Sequence, residues 1–111
     1  MEERKKLQVR LSEEFNNDLD DVYKYGVETF GLTQAKIYED KIWQLVNTLS
    51  VNYFLFPECR HLPTKSKMYR WIILDAHLII YRIIENQVQV LRLLHSKRSI
   101  TKIRASRGLQ L

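Results

Sequence analysis

The chain has 111 residues, 45% of them hydrophobic, with three Gly, two Pro and a formal net charge of +5. That is the size of one domain spanning 1–111 with enough apolar mass for a packed core, and it excludes collagen-like, low-complexity and intrinsically disordered classes. Cys59 is the one cysteine, so neither an intramolecular disulfide nor a Cys-based metal site can form, which suits a reducing, cytoplasmic setting. The charged start Glu2-Glu3-Arg4-Lys5-Lys6 leads into Leu7-Gln8-Val9-Arg10 without the apolar stretch of a signal peptide. The longest apolar run, Leu78 to Ile84, is broken by Arg82 and has strand length, so no membrane segment is expected.

Lys6 to Leu11 alternates, with Leu7, Val9 and Leu11 on one side, and predicts a half-buried strand. Ser12 is placed as a helix N-cap, with Glu13 and Glu14 in the first turn, where the helix dipole favours acids. Phe15, Leu19, Val22 and Tyr23 follow at helical spacing, Phe30 lies near the end, and Gly31 is the expected stop. A second helix is expected from Thr33 as N-cap, with Ile37, Tyr38, Ile42, Leu45, Val46 and Leu49 as its apolar stripe. The short connection makes the two helices an antiparallel hairpin. Residues 50–66, with Pro57 and Pro63, read as irregular. Three strands are expected over 67–74, 77–84 and 87–95, separated by the turn pairs Asp75-Ala76 and Glu85-Asn86. The tail from Ser96 is basic.

The order is therefore β-α-α-β-β-β, an α+β fold in which a helical hairpin covers one face of a four-stranded, mainly antiparallel sheet. The other face is apolar as well. In the third strand Ile80 and Ile84 oppose Ile79, Tyr81 and Ile83; in the fourth, Val88, Val90 and Leu94 oppose Leu91 and Leu93. The tail or a partner chain must cover that second face.

Charge is uneven. Residues 1–57 hold seven Lys/Arg and ten Asp/Glu, net −3, whereas residues 58–111 hold eleven and three, net +8. Such a field favours acidic partners, nucleic acid or protein. Arg70, Arg82 and Arg92 lie within strands, where each either grips a partner's phosphate or carboxylate or pairs with Asp75, Glu85 or a helix acid. His95 closes the last strand beside Lys97 and Arg98; it is either a general base or a strand-closing residue bonded to backbone. Trp43 and Trp71 are base-stacking candidates, with core packing as the stronger reading. His61 and His77 show no ligand-like spacing with His95, and no metal or cofactor site is expected. There is no Gly-rich phosphate loop, and Cys59 is expected to be inert.

The element order, together with Phe56-Pro57-Glu58, Tyr69-Arg70, Ile80-Tyr81-Arg82-Ile83, Val88-Gln89-Val90-Leu91-Arg92-Leu93-Leu94-His95 and Arg98, resembles the RelE/ParE superfamily of bacterial toxins from type II toxin–antitoxin systems. The resemblance implies a toxin neutralised by a cognate antitoxin. RelE-like members cleave messenger RNA on the ribosome with a cluster of Lys, Arg and often Tyr; ParE-like members inhibit DNA gyrase. Transferred residue by residue, the second-strand cation falls on Arg70 and the cation after the last strand on Arg98. The second cation of that strand falls on Ile72, the Arg that opens an Arg-x-x-Tyr pattern falls on Leu78 with Tyr81 kept, and the C-terminal Tyr falls near Arg104. Ile and Leu cannot move a proton or stabilise a phosphorane, so the resemblance leans towards ParE and a non-hydrolytic protein. Its partner-binding residues are expected to be Arg70, Arg82, Arg92, Lys97, Arg98 and Arg104. The alternatives are a ribosome-dependent ribonuclease using Arg70, His95 and Arg98, and a non-toxic member that only binds its partner.

Overall fold

The computed structural model describes residues 5–97 and 100–111. The chain runs β1 (Gln8–Leu11), α1 (Glu13–Phe30), α2 (Leu32–Asn52), β2 (Tyr69–Leu74), β3 (His77–Ile84), β4 (Gln87–His95) and α3 (Ile100–Ala105), then a 3-10 turn at Ser106–Gly108. The sheet order is β1-β4-β3-β2, with β1 parallel to β4 and the other pairs antiparallel. The expected architecture stands; the short helix after β4 is an addition to it.

Ser12 caps α1 by accepting the Phe15 N–H at 2.9 Å. Gly31, at φ 91°, takes a conformation that favours glycine and serves both helices. Its N–H donates to the Val27 carbonyl, and its own carbonyl accepts from Ala35. Thr33 is therefore not the cap: α2 starts at Leu32 on Gly31 and continues to Asn52, beyond the expected break at Ser50. The helices cross closely where a Cβ on Gly26 would lie 3.3 Å from that of Ala35.

Phe15, Leu19, Ile42, Val46 and Leu49 form the core with Ile72, Ile79, Tyr81, Val88, Val90 and Leu93, and Leu45 packs half-buried beside them. Phe30 and Ile37 are 67% and 56% exposed, because they lie near the hairpin tip, beyond the part of the stripe that meets the sheet.

A bulge corrects the side assignment in β4. Tyr81 pairs with Val90 but Ile80 pairs with Arg92, so Leu91 is an extra residue. Beyond it the alternation shifts by one: Leu93 joins the hairpin side and Leu94 the other, the reverse of the expected placement. The sequence around the bulge is held by α1. Ser12 Oγ donates to the Leu91 carbonyl at 2.6 Å, and the Asp18 carboxylate accepts both the Leu93 N–H and the Arg92 Nε–H. β1 pairs with β4 only as far as Val90, so these side chains satisfy the strand edge where β1 ends.

The second face is covered by the chain itself. Cys59 and Leu62 from the loop, and Ile103, Leu109 and Leu111 from the tail, pack on Tyr69, Leu78, Ile80, Leu91 and Leu94. Of the two coverings left open by the sequence, the tail is the one found, assisted by the loop. Strand β2 starts at Tyr69 rather than Lys67, since Lys67 sits at φ 54° in the turn before it.

Candidate functional site

The basic residues divide into those held within the fold and those presented outward. Arg92 is held: its Nε and Nη2 grip Asp18 at 2.7 and 3.0 Å in a two-pronged pair. Arg82 is 8% exposed and lies on the second face between Tyr69 and Gln89, its two cross-strand neighbours. Its Nε–H donates to Gln89 Oε1 at 2.7 Å and its Nη2 to the Leu109 carbonyl at 2.6 Å, with longer contacts to Tyr69 Oη and the Arg107 carbonyl. No carboxylate pairs with it among the described residues. This arginine fastens the segment after α3 to the sheet.

Arg70 lies on the hairpin side of β2. Its Nη1 donates to the Phe56 carbonyl at 2.7 Å, and its guanidinium sits 5.2 Å from the Phe54 ring centroid. Its Nε–H is buried and makes no hydrogen bond. Lys97 and Arg104 are exposed. Arg98 lies outside the described residues.

His95 ends β4 exposed, and its Nδ1 accepts the Lys97 N–H at 3.2 Å. Opposite it stands His77, ring centroids 5.5 Å apart. His77 Nδ1 is 2.7 Å from Tyr38 Oη on α2. Burial, then the neighbouring His95, pushes the His77 pKa down, while the Asp75 carboxylate acts the other way. Burial raises Tyr38 to about 12. This His–His–Tyr cluster was not foreseen from spacing along the chain. Counting pairs outward from the Glu85-Asn86 turn would have set His77 opposite Leu94; the extra residue Leu91 brings His95 there instead. Among the described residues no group of three or more His, Cys, Asp or Glu is placed to hold a metal ion.

The register separates the residues of a ribonuclease. Arg70 pairs with Tyr81, four residues along β3 from His77, and His95 lies across on β4. At about 3.3 Å per residue and about 4.8 Å per strand, the Cα atoms of Arg70 and His95 are on the order of 15 Å apart, and the Arg70 guanidinium is engaged by the Phe56 carbonyl. Tyr81 faces the hairpin core, fully buried; its hydroxyl donates to the Tyr53 carbonyl at 2.8 Å, and burial pushes its pKa up. It is a structural tyrosine, not a proton donor to a bound substrate. Cys59 is buried, with burial raising its thiol pKa, as an inert cysteine requires. Trp43 packs edge-on against Phe15. Trp71 is half-buried, with Arg60 over its ring and His61 at its edge.

Two concave surfaces stand out among the described residues. One, of about 890 Å³, lies between the hairpin and the β2–β3 turn; it is floored by Leu19, Val22, Ala35 and Ile42 and closed at one end by His77 and His95. The other, of about 530 Å³, lies on the opposite side of the sheet at the outer edge of β2.

Residues 9–100 match the profile of the ParE toxin of type II toxin–antitoxin systems, parDE. The chain belongs to the ParE toxin family. The fold agrees: a solved structure of the chromosomal ParDE toxin–antitoxin system from P. aeruginosa superposes with a TM-score of 0.67 at 19% identity, covering 80% of this chain and 95% of that one. A solution structure of a conserved hypothetical protein from Helicobacter pylori is more distant, with a TM-score of 0.47 at 18% identity over 83% of this chain and 97% of that one. No curated protein matches. No helix among the described residues is long and apolar enough to cross a membrane.

Proposed function

We propose that this ParE-family chain is a toxin that acts on DNA gyrase in the cytoplasm by contact rather than by hydrolysis, and that a cognate antitoxin neutralises it. The observation that carries the reading is the dispersal of the would-be ribonuclease groups. Arg70 and His95 stand far apart, Tyr81 is buried, and Ile72 and Leu78 occupy positions where RelE-like enzymes carry charge. Metal-free cleavage of RNA needs its base, acid and cations around one phosphate; inhibition by binding needs only surface. The apolar groove beside the hairpin is large enough for a segment of a partner helix, and the exposed Lys97 and Arg104 add charge for an acidic partner.

Induction in the native host is the test. The reading expects growth arrest with a DNA-damage response, reversed by co-expressing the product of the adjoining gene. Growth arrest with intact DNA topology and loss of messenger RNA would favour the ribosome and its messenger RNA as target. No arrest at all, with the partner still bound, would leave a non-toxic binding protein.

A further inference from the structure

Side-chain charge is sorted by face. The hairpin, residues 13–52, holds eight Asp/Glu and three Lys/Arg, net −5. Two of its three cations are engaged by acids: Lys36 lies 3.1 Å from Glu39 and Lys41 lies 3.1 Å from Asp75. The two segments that cover the other face of the sheet, 58–67 and 96–111, hold eight Lys/Arg and one Asp/Glu, net +7. The fold brings these segments together. Cys59 and Leu62 share a buried cluster with Ile103, Arg107 Nη2–H donates to the Pro63 carbonyl at 3.3 Å, and Arg60 and Lys97 line one hollow. Ile103 is buried against the sheet, whereas its neighbours Lys102 and Arg104 are exposed. Lys65 and Lys67 stand in the turn closed by the Lys67 N–H on the Thr64 carbonyl. Seven cations of this cover lie among the described residues, and all seven are exposed. The one acid, Glu58, is half-buried and accepts the Thr64 N–H at 3.4 Å.

Two classes of anionic partner could meet such a surface, and the placement of the cations separates them. Arg60, Lys65, Lys67, Lys97 and Arg104 are exposed, and none of them pairs with a carboxylate among the described residues. They are spread over the loop, the turn after β4 and α3 rather than gathered in one pocket. In a protein–protein contact, exposed charges of this kind tune the rate of encounter and add little affinity, which comes from a few desolvated anchors. Against a nucleic acid the same groups are the main source of affinity, because each phosphate they neutralise releases a condensed counterion. A phosphate backbone also carries a charge on every unit, so it meets scattered cations without a fixed pattern of acids. The acidic hairpin lies on the opposite face of the sheet, where it does not oppose the polyanion.

We infer that the cover formed by 58–67 and 96–111 is a docking surface for the phosphate backbone of duplex DNA, held through Arg60, Lys65, Lys67, Lys97 and Arg104 without readout of base sequence. The choice of DNA over RNA rests on the gyrase reading above, since DNA is the nucleic acid that a gyrase-bound toxin meets. The choice of a phosphate backbone rests on the charge and its placement alone. An orientation follows: DNA lies against the cover, and the hairpin groove on the other side of the sheet stays open to a protein partner at the same time.

The test is fluorescence anisotropy of a labelled DNA duplex titrated with the full chain at several salt concentrations. With about four or five phosphate contacts, the affinity should fall about 100- to 500-fold between about 50 and 200 mM salt. Arg104→Glu should weaken binding at least about tenfold, and Lys24→Glu, the same change of net charge on the exposed side of α1, less than about twofold. Arg104→Ala should lower the salt slope by about one. Equal losses from the two charge reversals would overturn the surface, because binding would then follow net charge rather than face. An unchanged salt slope in Arg104→Ala would overturn it too. So would tighter binding of a single-stranded RNA of equal length, or displacement of the duplex by polyglutamate at an equal concentration of charge, which would point to RNA or to an acidic protein instead. Supercoiling blocked by a chain that does not bind the duplex would overturn the surface and leave the gyrase reading intact. Duplex binding that Arg104→Glu abolishes, in a chain that leaves gyrase unhindered, would uphold the surface and overturn that reading.

Discussion

On the hairpin side of the sheet, Phe15, Leu19, Ile42, Val46 and Leu49 come from two long helices at regular spacing and are each 5% exposed or less. On the other side, Cys59, Leu62 and Ile103 are buried just as deeply, but they come from an irregular loop and a helix of six residues. What holds that second cover in place is polar: Arg82, fixed to the Leu109 and Arg107 carbonyls and to Gln89. The difference teaches that an amphipathic helix carries its own docking information in its period, whereas an irregular cover needs a specific anchor.

The comparison is broken most severely from the hairpin side. Phe15→Ala should cost about 3–5 kcal/mol and Leu19→Ala about 2–5 kcal/mol, lowering the global melting transition. Leu45→Ala, only half-buried, should cost less than either, and a loss under about 0.5 kcal/mol at Leu19 would mean the stripe is misassigned. On the other side, Arg82→Met keeps the apolar stem but leaves carbonyls without their donor. It should cost about 1–3 kcal/mol, and hydrogen exchange should speed up over 106–111 well before it does in β3. If exchange there rises no faster than in β3, Arg82 is not the anchor. Ser12→Ala removes both the α1 cap and the bond to Leu91, and should cost about 1–2 kcal/mol in chemical denaturation.

The pH dependence sharpens the comparison at the end of the sheet. His77 is held neutral, with its folded pKa below the ordinary histidine value. The unfolded chain therefore binds the proton more readily, and this contribution to stability is present above about pH 6.5 and lost as pH falls through the folded value. Denaturation followed from pH 8 to 5 should show a decline on the acid side that His77→Gln flattens. The smallest effect belongs to the surface: Lys41, 3.1 Å from Asp75 and half exposed, should give under about 0.5 kcal/mol when changed to Ala.

Much of this fold was legible in the sequence. Strands β3 and β4 fall on the residues expected because Asp75-Ala76 and Glu85-Asn86 punctuate them, and Asp75, Glu85 and Asn86 all sit at positive φ. Ser12 and Gly31 mark α1 by their chemistry. The bulge at Leu91 was not legible, because Val90, Leu91, Leu93 and Leu94 are all apolar and offer no contrast between faces. Helix α3 was hidden behind a basic run, with only Ile100 and Ile103 to signal it. Arg92 took the helix-acid pairing that the sequence left open, whereas the anchoring of Arg82 by carbonyls could not be read, since backbone acceptors leave no mark in composition. The meeting of His77 and His95 follows from that same unseen bulge.

The most direct test of the account is a paired assay of the purified chain with the matching host's components: supercoiling by its gyrase, and primer extension on messenger RNA bound to its ribosomes. The account predicts that supercoiling is blocked and the ribosome-bound messenger stays intact. Codon-specific cleavage on the ribosome, abolished by Arg70→Ala or His95→Ala while gyrase works unhindered, would contradict it.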